Sequence, residues 1–277
     1  MCKRARYATL VLVCVCLGAG LMGCGRRESA VKANEPIPLR LNARDGAVLA
    51  ATLYPANGMP SCGVVLVHDK GARADQWEGF ARRLQQSGIA SIAFDLRGHG
   101  ESTAPEGQPS SFEEFTTRDW LQTLLDIEAA RNALPANGID PENLALVGAG
   151  MGANLAAQYA AQDPSIQALV LISPGLEYDG VRIREAFEAY TRRPSMLIAT
   201  KGDTYASASA QTLKKSASTF CELREYPGGA HGMDVMESLV SARETIVFWL
   251  ESILKSVSQN GSAAANQREG NTAREGA

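Results

Sequence analysis

Three glycines in five residues, Gly148-Ala149-Gly150-Met151-Gly152, stand between the apolar run Leu144 to Val147 and a stretch carrying Ala153, Ala156, Ala157 and Ala160. A buried strand that turns this abruptly into a helix brings backbones very close together, so the positions two before and two after the centre of the turn must be small. Gly148 and Gly152 meet that demand, and the alanines let the helix lie close on a sheet. The centre of such a turn forces a strained backbone on any residue with a Cβ, at about 1–3 kcal/mol. Gly150 adopts it without that strain, and it brings no side chain with which to react.

The pattern around this junction is strand, helix, strand. Short apolar runs at 63–68, 89–95, 144–148, 168–173, 196–200 and 221–226 read as buried strands. Before them, 39–41 and 48–54 flank Arg44-Asp45-Gly46 and read as a hairpin, because Asp-Gly favours a tight turn. Trp120, Leu124 and Ile127 recur at helical spacing, and a further helix is expected from about 233 to 254. This alternation predicts an α/β fold, with a mostly parallel central sheet, an antiparallel hairpin at one edge and helices on both faces. Ligand sites in such sheets lie at the carboxyl ends of the strands. There the sequence puts His68, Asp95, Gly150, Ser173 and Asp203, with His231 in the loop after the last strand.

The 277 residues, 45% apolar and 21% charged, suffice for one domain with a sizeable core, expected at 37–255. A net charge of −3 offers no basic field for nucleic acid, and the three histidines are scattered, so no metal or cofactor is expected. Lys3, Arg4 and Arg6 precede an apolar stretch from about 8 to 22, the layout of a secretory signal. It ends Leu21-Met22-Gly23-Cys24, which resembles the lipobox of bacterial lipoproteins. That resemblance implies a leader at 1–23, a lipid on Cys24 and a membrane-anchored place in the cell envelope, with inner and outer membranes both open. A plain membrane anchor is the alternative, and it needs about 20 apolar residues. Cys62 and Cys221 lie on different strands and are expected as unpaired thiols. The segment 24–36 reads as a tether, and 256–277, polar and without apolar period, as a disordered tail.

Several motifs combine at the strand ends. They are Leu66-Val67-His68 followed by Gly71, the run Phe94-Asp95-Leu96-Arg97-Gly98-His99-Gly100-Glu101-Ser102, the glycine-rich junction, Ser173-Pro174-Gly175, and Gly229-Ala230-His231-Gly232. Together they resemble the α/β-hydrolase superfamily, in particular bacterial esterase-like and dienelactone-hydrolase-like members, from about 38 to 254. The resemblance implies that fold without a large lid, since about 20 residues separate Ser173-Pro174-Gly175 from the next strand. It also implies the chain order nucleophile, acid, histidine. Gly150 then holds the place of the nucleophile serine, Asp203 that of the acid and His231 that of the base. The oxyanion hole would use the Met151 N–H and one from the loop after His68, at Asp69 or Lys70. Asp69 and Lys70 precede Gly71 where a His-Gly pair is commoner, and a carboxylate there would oppose developing negative charge.

Two roles are open for His231: a base positioned by Asp203, acting on water, or a remnant pair kept by packing and a hydrogen bond. His99, Asp95 and Ser102 read as turn geometry, Ser173 as a strand-ending turn residue, and His68 as shaping the loop beside the hole. Gly148-x-Gly150-x-x-Ala153 also satisfies a dinucleotide fingerprint. However, it does not open the domain, and the next strand ends in Ser173-Pro174 rather than an acidic residue. The expectation is a lipid-anchored protein of hydrolase fold without its serine nucleophile, binding or scaffolding a small-molecule or ester-like ligand without turnover. The alternative is a weak ester or thioester hydrolase using water activated by His231 and Asp203.

Overall fold

The computed structural model of the chain describes residues 35–56, 62–190, 192–217 and 220–255. The leader, Cys24 and the tail at 256–277 lie outside the described residues. The Asp45-Gly46 turn joins β1 (Ile37–Asn42) to antiparallel β2 (Val48–Tyr54), with Gly46 at φ 98°. Then come β3 (Gly63–Val67), α1 (Glu78–Gln86), β4 (Ala90–Phe94), α2 (Thr117–Gln122), α3 (Leu124–Ala136), β5 (Leu144–Ala149), α4 (Met151–Gln162) and β6 (Ile166–Ile172). A small ribbon of β7 (Glu177–Tyr178) and β8 (Val181–Arg182) and the short α5 (Arg184–Tyr190) lead to β9 (Ser195–Thr200). The described fold closes with α6 (Thr204–Ser216), β10 (Cys221–Tyr226), α7 (Met233–Ser238) and α8 over 240–255.

Eight strands form one sheet in the order β1-β2-β4-β3-β5-β6-β9-β10, parallel from β4 onward. Successive residues of a strand point to opposite faces. Val65, Val67, Leu144 and Leu146 accordingly pack with Trp120, Ile127, Leu155 and Phe187 on one side. Val64, Leu66, Ala145 and Val147 pack with Phe80 and Leu84 of α1 and Ile246 and Leu250 of α8 on the other. Burial on both faces is why these strands read as unbroken apolar runs.

Two stretches expected as single helices are each interrupted. The helix through Trp120 and Ile127 breaks at Thr123, whose hydroxyl donates to the Trp120 carbonyl at 2.7 Å and competes with regular helix bonding. The C-terminal one breaks at Leu239 (φ −108°, ψ 87°) into α7 and α8. Cys62 and Cys221 are both free and buried, and burial pushes the Cys62 thiol up to about 11. Among the described residues between β6 and β9 only the ribbon and α5 intervene. Among the described residues no helix is long and apolar enough to cross a membrane.

Beside the carboxyl end of β4, the Arg97 side chain is 1% exposed and meets Asp126 of α3 at 2.6 Å and Asp45 of the hairpin turn at 2.5 Å. Burial by itself would lower the Arg97 pKa, but the hydrogen bonds to Asp126 and Asp45 outweigh it and hold the guanidinium well above its ordinary value. One side chain thus ties the hairpin, α3 and the 95–102 loop together. Removing a partner leaves a buried charge uncompensated, so Asp126→Ala is expected to cost about 3–5 kcal/mol in denaturant unfolding. A loss below about 1 kcal/mol, the range of a surface pair, would mean that Asp45 alone suffices for Arg97.

Candidate active site

At the end of β5 the chain turns through Gly150 (φ 53°, ψ −120°) directly into α4. A methyl group at Gly148 would overlap the Gly152 carbonyl, and one at Gly152 would overlap the carbonyls of Val67 and His68. The small flanks are therefore demanded by backbone against backbone, across two adjacent strands.

Asp203 follows β9 and caps α6: its Oδ1 accepts the Ala206 N–H at 3.2 Å. Its Oδ2 accepts Nδ1–H of His231 at 2.5 Å, a tautomer that leaves Nε2 able to take a proton. The His231 loop is fixed from three sides. The Thr200 hydroxyl donates to the Ala230 carbonyl at 2.8 Å, Gly202 N–H to the Gly228 carbonyl at 2.7 Å, and Gly232 N–H to Ser173 Oγ at 3.1 Å. Ser173 is buried at φ 50°, a conformation costing a non-glycine residue about 1–3 kcal/mol, and its hydroxyl holds the histidine loop.

The space above Gly150 is filled by Asp69. Its Oδ1 accepts two backbone N–H groups, from Met151 at 2.8 Å and from Lys70 at 2.7 Å, while Oδ2 lies 3.5 Å from His231 Nε2. A methyl group at Gly150 would overlap the whole carboxylate, and one at Gly232 (φ 51°, ψ −121°) would overlap Oδ2. The sequence left the second donor open between Asp69 and Lys70. In the structure the N–H groups facing this point belong to Met151 and Lys70, and Asp69 enters it as a side-chain acceptor. Burial pushes the Asp69 carboxyl above its usual range, and the Met151 N–H and His231 pull it back only in part.

Two neutral histidines hold this loop. His68 Nδ1–H donates to the Asp69 carbonyl at 2.7 Å and Nε2 accepts Leu96 N–H at 2.9 Å. His99 Nδ1–H donates to the Arg97 carbonyl at 3.1 Å and Nε2 accepts Gly71 N–H at 3.2 Å. Burial lowers the pKa of both to about 4, which keeps them uncharged at neutral pH. Asp95 accepts the N–H groups of Ala74 and Glu101, and the Ser102 hydroxyl donates to its carbonyl.

Over Asp69 and His231 opens a cleft of about 370 Å³ with Phe112 and Tyr178 as aromatic walls. Lys70 and Asp179, paired at 2.9 Å, stand at its edge. Phe112, Tyr178 and Asp179 come from connecting segments and had no signal in the sequence. Burial, then Asp203 and Asp69, raise the Tyr178 phenol, so it stays protonated. Among the described residues no group of three His, Cys, Asp or Glu side chains is arranged to hold a metal ion.

Residues 59–200 match the family described as serine aminopeptidase, S33. Over 129 residues the chain is 30% identical to monoacylglycerol lipase abhd6-B of Xenopus laevis, covering 45% of this chain and 35% of that protein. Over 113 residues it is 28% identical to an uncharacterised protein of Mycobacterium bovis, covering 40% and 29%. The chain thus spans about a third of the length of these curated relatives. Among solved structures, the α/β hydrolase GrgF from Penicillium superposes with TM-score 0.66 at 17% identity, over 80% of this chain and 98% of that one. A dienelactone hydrolase from Anabaena variabilis does so with TM-score 0.61 at 18% identity, over 81% and 98%.

A carboxylate whose pKa is raised by folding binds its proton more tightly in the folded state, so it weighs against stability above that pKa and ceases to do so as pH falls to the unfolded value near ~3.9. Asp69→Asn retains an oxygen acceptor for both N–H groups and removes the desolvated charge. Thermal unfolding is expected to show this variant more stable than the natural protein at pH 7, with the gap closing in acid. A variant less stable at pH 7 would mean that the N–H groups require the charge.

Proposed function

The chain belongs to the serine aminopeptidase S33 family of α/β-hydrolases, and we propose that it is a member without the family's serine chemistry, binding a small ester-like molecule without cleaving it. The observation that carries this reading is the Asp69 carboxylate above Gly150, bonded to the N–H groups of Met151 and Lys70. Acyl transfer by serine needs a hydroxyl at that point and free donors for the developing oxyanion. One such donor is worth about 10²–10³ in rate, and here both are occupied by an anion. The same argument weighs against hydrolysis by water activated through His231 and Asp203, because its tetrahedral oxyanion would form beside a carboxylate and without donors. Cleft size supports a small ligand, since ordinary ligand pockets begin near ~300 Å³. The proposal includes a lipid on Cys24 that tethers the domain to a membrane of the cell envelope, on its periplasmic or outer side.

The test uses a fluorophosphonate probe and short-chain aryl esters. The natural protein is expected to be silent, and Gly150→Ser alone equally silent, because the Asp69 carboxylate overlaps the place of the new side chain and holds both N–H donors. Gly150→Ser combined with Asp69→Gly is expected to label and to turn over esters at least ~10³-fold faster than the natural protein, the scale of a nucleophile's contribution. Ester cleavage by the natural protein that His231→Ala abolishes would overturn the non-catalytic reading in favour of activated water.

A further inference from the structure

We propose that the cleft binds small primary amines, with the ammonium group on its floor between Asp69 and His231 and a short apolar stem between Phe112 and Tyr178. This deepens the reading above, and rests on its small ligand held without cleavage, by naming the group that such a ligand presents to the floor. The two oxygens of the Asp69 carboxylate are held differently. Oδ1 accepts the N–H groups of Met151 and Lys70, while Oδ2 accepts no hydrogen bond from any described residue. Oδ2 lies 3.5 Å from His231 Nε2, which is itself an acceptor when Nδ1–H is donated to Asp203. The floor thus presents two acceptors side by side with no donor between them. A group with several N–H bonds answers both, and one nitrogen reaches each at the ordinary charge-assisted distance of about 2.8 Å.

Charge selects a cation over a neutral donor. The lining holds two carboxylates, Asp69 and Asp179, against the ammonium of Lys70, and Lys70 is already paired with Asp179 at 2.9 Å. Among the described residues Asp69 is paired with no lysine or arginine and faces only His231. A bound ammonium supplies the opposite charge that the buried carboxylate lacks, in surroundings where such a pair is stronger than in water. The walls are fixed before a ligand arrives. Phe112 stacks on His99 with ring centroids 4.2 Å apart and planes 13° from parallel. Tyr178 donates its hydroxyl to the Ser173 carbonyl at 3.1 Å and lies against Gly175, where a methyl group would overlap its ring. Aromatic walls attract a cation as well as its apolar stem, and walls that do not reorganise on binding keep that gain. A quaternary ammonium would reach the walls but leave both floor acceptors unanswered, since it has no N–H.

Isothermal titration calorimetry of the full-length protein at pH 7 uses benzylamine, benzyl alcohol and benzyltrimethylammonium as probes. Benzylamine is expected to bind at least ~10-fold more tightly than either of the others, the scale of a hydrogen bond to a charged group. Asp69→Asn, which keeps the shape of the floor and removes its charge, is expected to weaken benzylamine at least ~10-fold and to leave benzyl alcohol nearly unchanged. Lys70→Met removes a like charge from the rim and keeps the main-chain N–H, and is expected to tighten benzylamine about twofold to fivefold. Equal binding of benzyl alcohol or of the quaternary ion overturns the proposal, as does benzylamine binding unchanged in Asp69→Asn or weakened in Lys70→Met. Phenyl acetate assayed on the same samples separates the two readings. Its cleavage would sink the non-catalytic reading and leave amine binding to be judged by calorimetry, whereas absence of benzylamine binding in a protein that cleaves no ester sinks only the amine proposal.

Discussion

The volume directly above the Gly150 Cα admits either a side chain at position 150 or the carboxylate of Asp69, and the geometry of the whole site follows from which of the two is there. With the carboxylate in place, the N–H groups of Met151 and Lys70 are satisfied within the protein, and a side chain at Gly232 would overlap Oδ2. Gly150, Gly232 and Asp69 are therefore one unit distributed over three loops. The two glycines share nearly the same dihedral angles, φ 53°, ψ −120° and φ 51°, ψ −121°, and each opens a helix onto the same anion.

That anion is held by layers of support beneath it. The Arg97 guanidinium fixes the 95–102 loop to the hairpin turn and α3. From that loop His99 and the Leu96 N–H reach Gly71 and His68, and His68 in turn binds the Asp69 carbonyl. Because burial keeps both histidines neutral, each offers one donor and one acceptor, which is what two crossing loops require of a spacer. On the other side Asp203, Ser173 and Thr200 fix His231. A site of this kind depends on such support, since a loosely held group forfeits most of its orientation advantage.

The α/β architecture was legible in the sequence because strands buried on both faces leave continuous apolar runs, and because turn-forming residues bound them. The helix interruptions at Thr123 and Leu239 were not, since apolar spacing is the same in one helix as in two nearly collinear ones. At the site, a glycine at the centre of the turn, position 150, could be read directly. The role of Asp69 could not: whether a loop residue offers its N–H or its carboxylate to a given point is decided by torsions that a one- or two-residue change in loop length resets. The legible clue was the coincidence of two departures, a glycine where serine is usual and an acid where glycine is commoner. Only the fold reveals that these concern the same few cubic ångströms.

The three glycines of the junction are constrained by different materials. A side chain at Gly148 or Gly152 would meet main-chain atoms of the turn and of the neighbouring strand, which cannot turn away, whereas one at Gly150 would meet the far end of the Asp69 side chain. The flanks of the turn are thus fixed by the fold itself, and its centre by one rotatable carboxylate. Position 69, not the turn, is the adjustable part of this site.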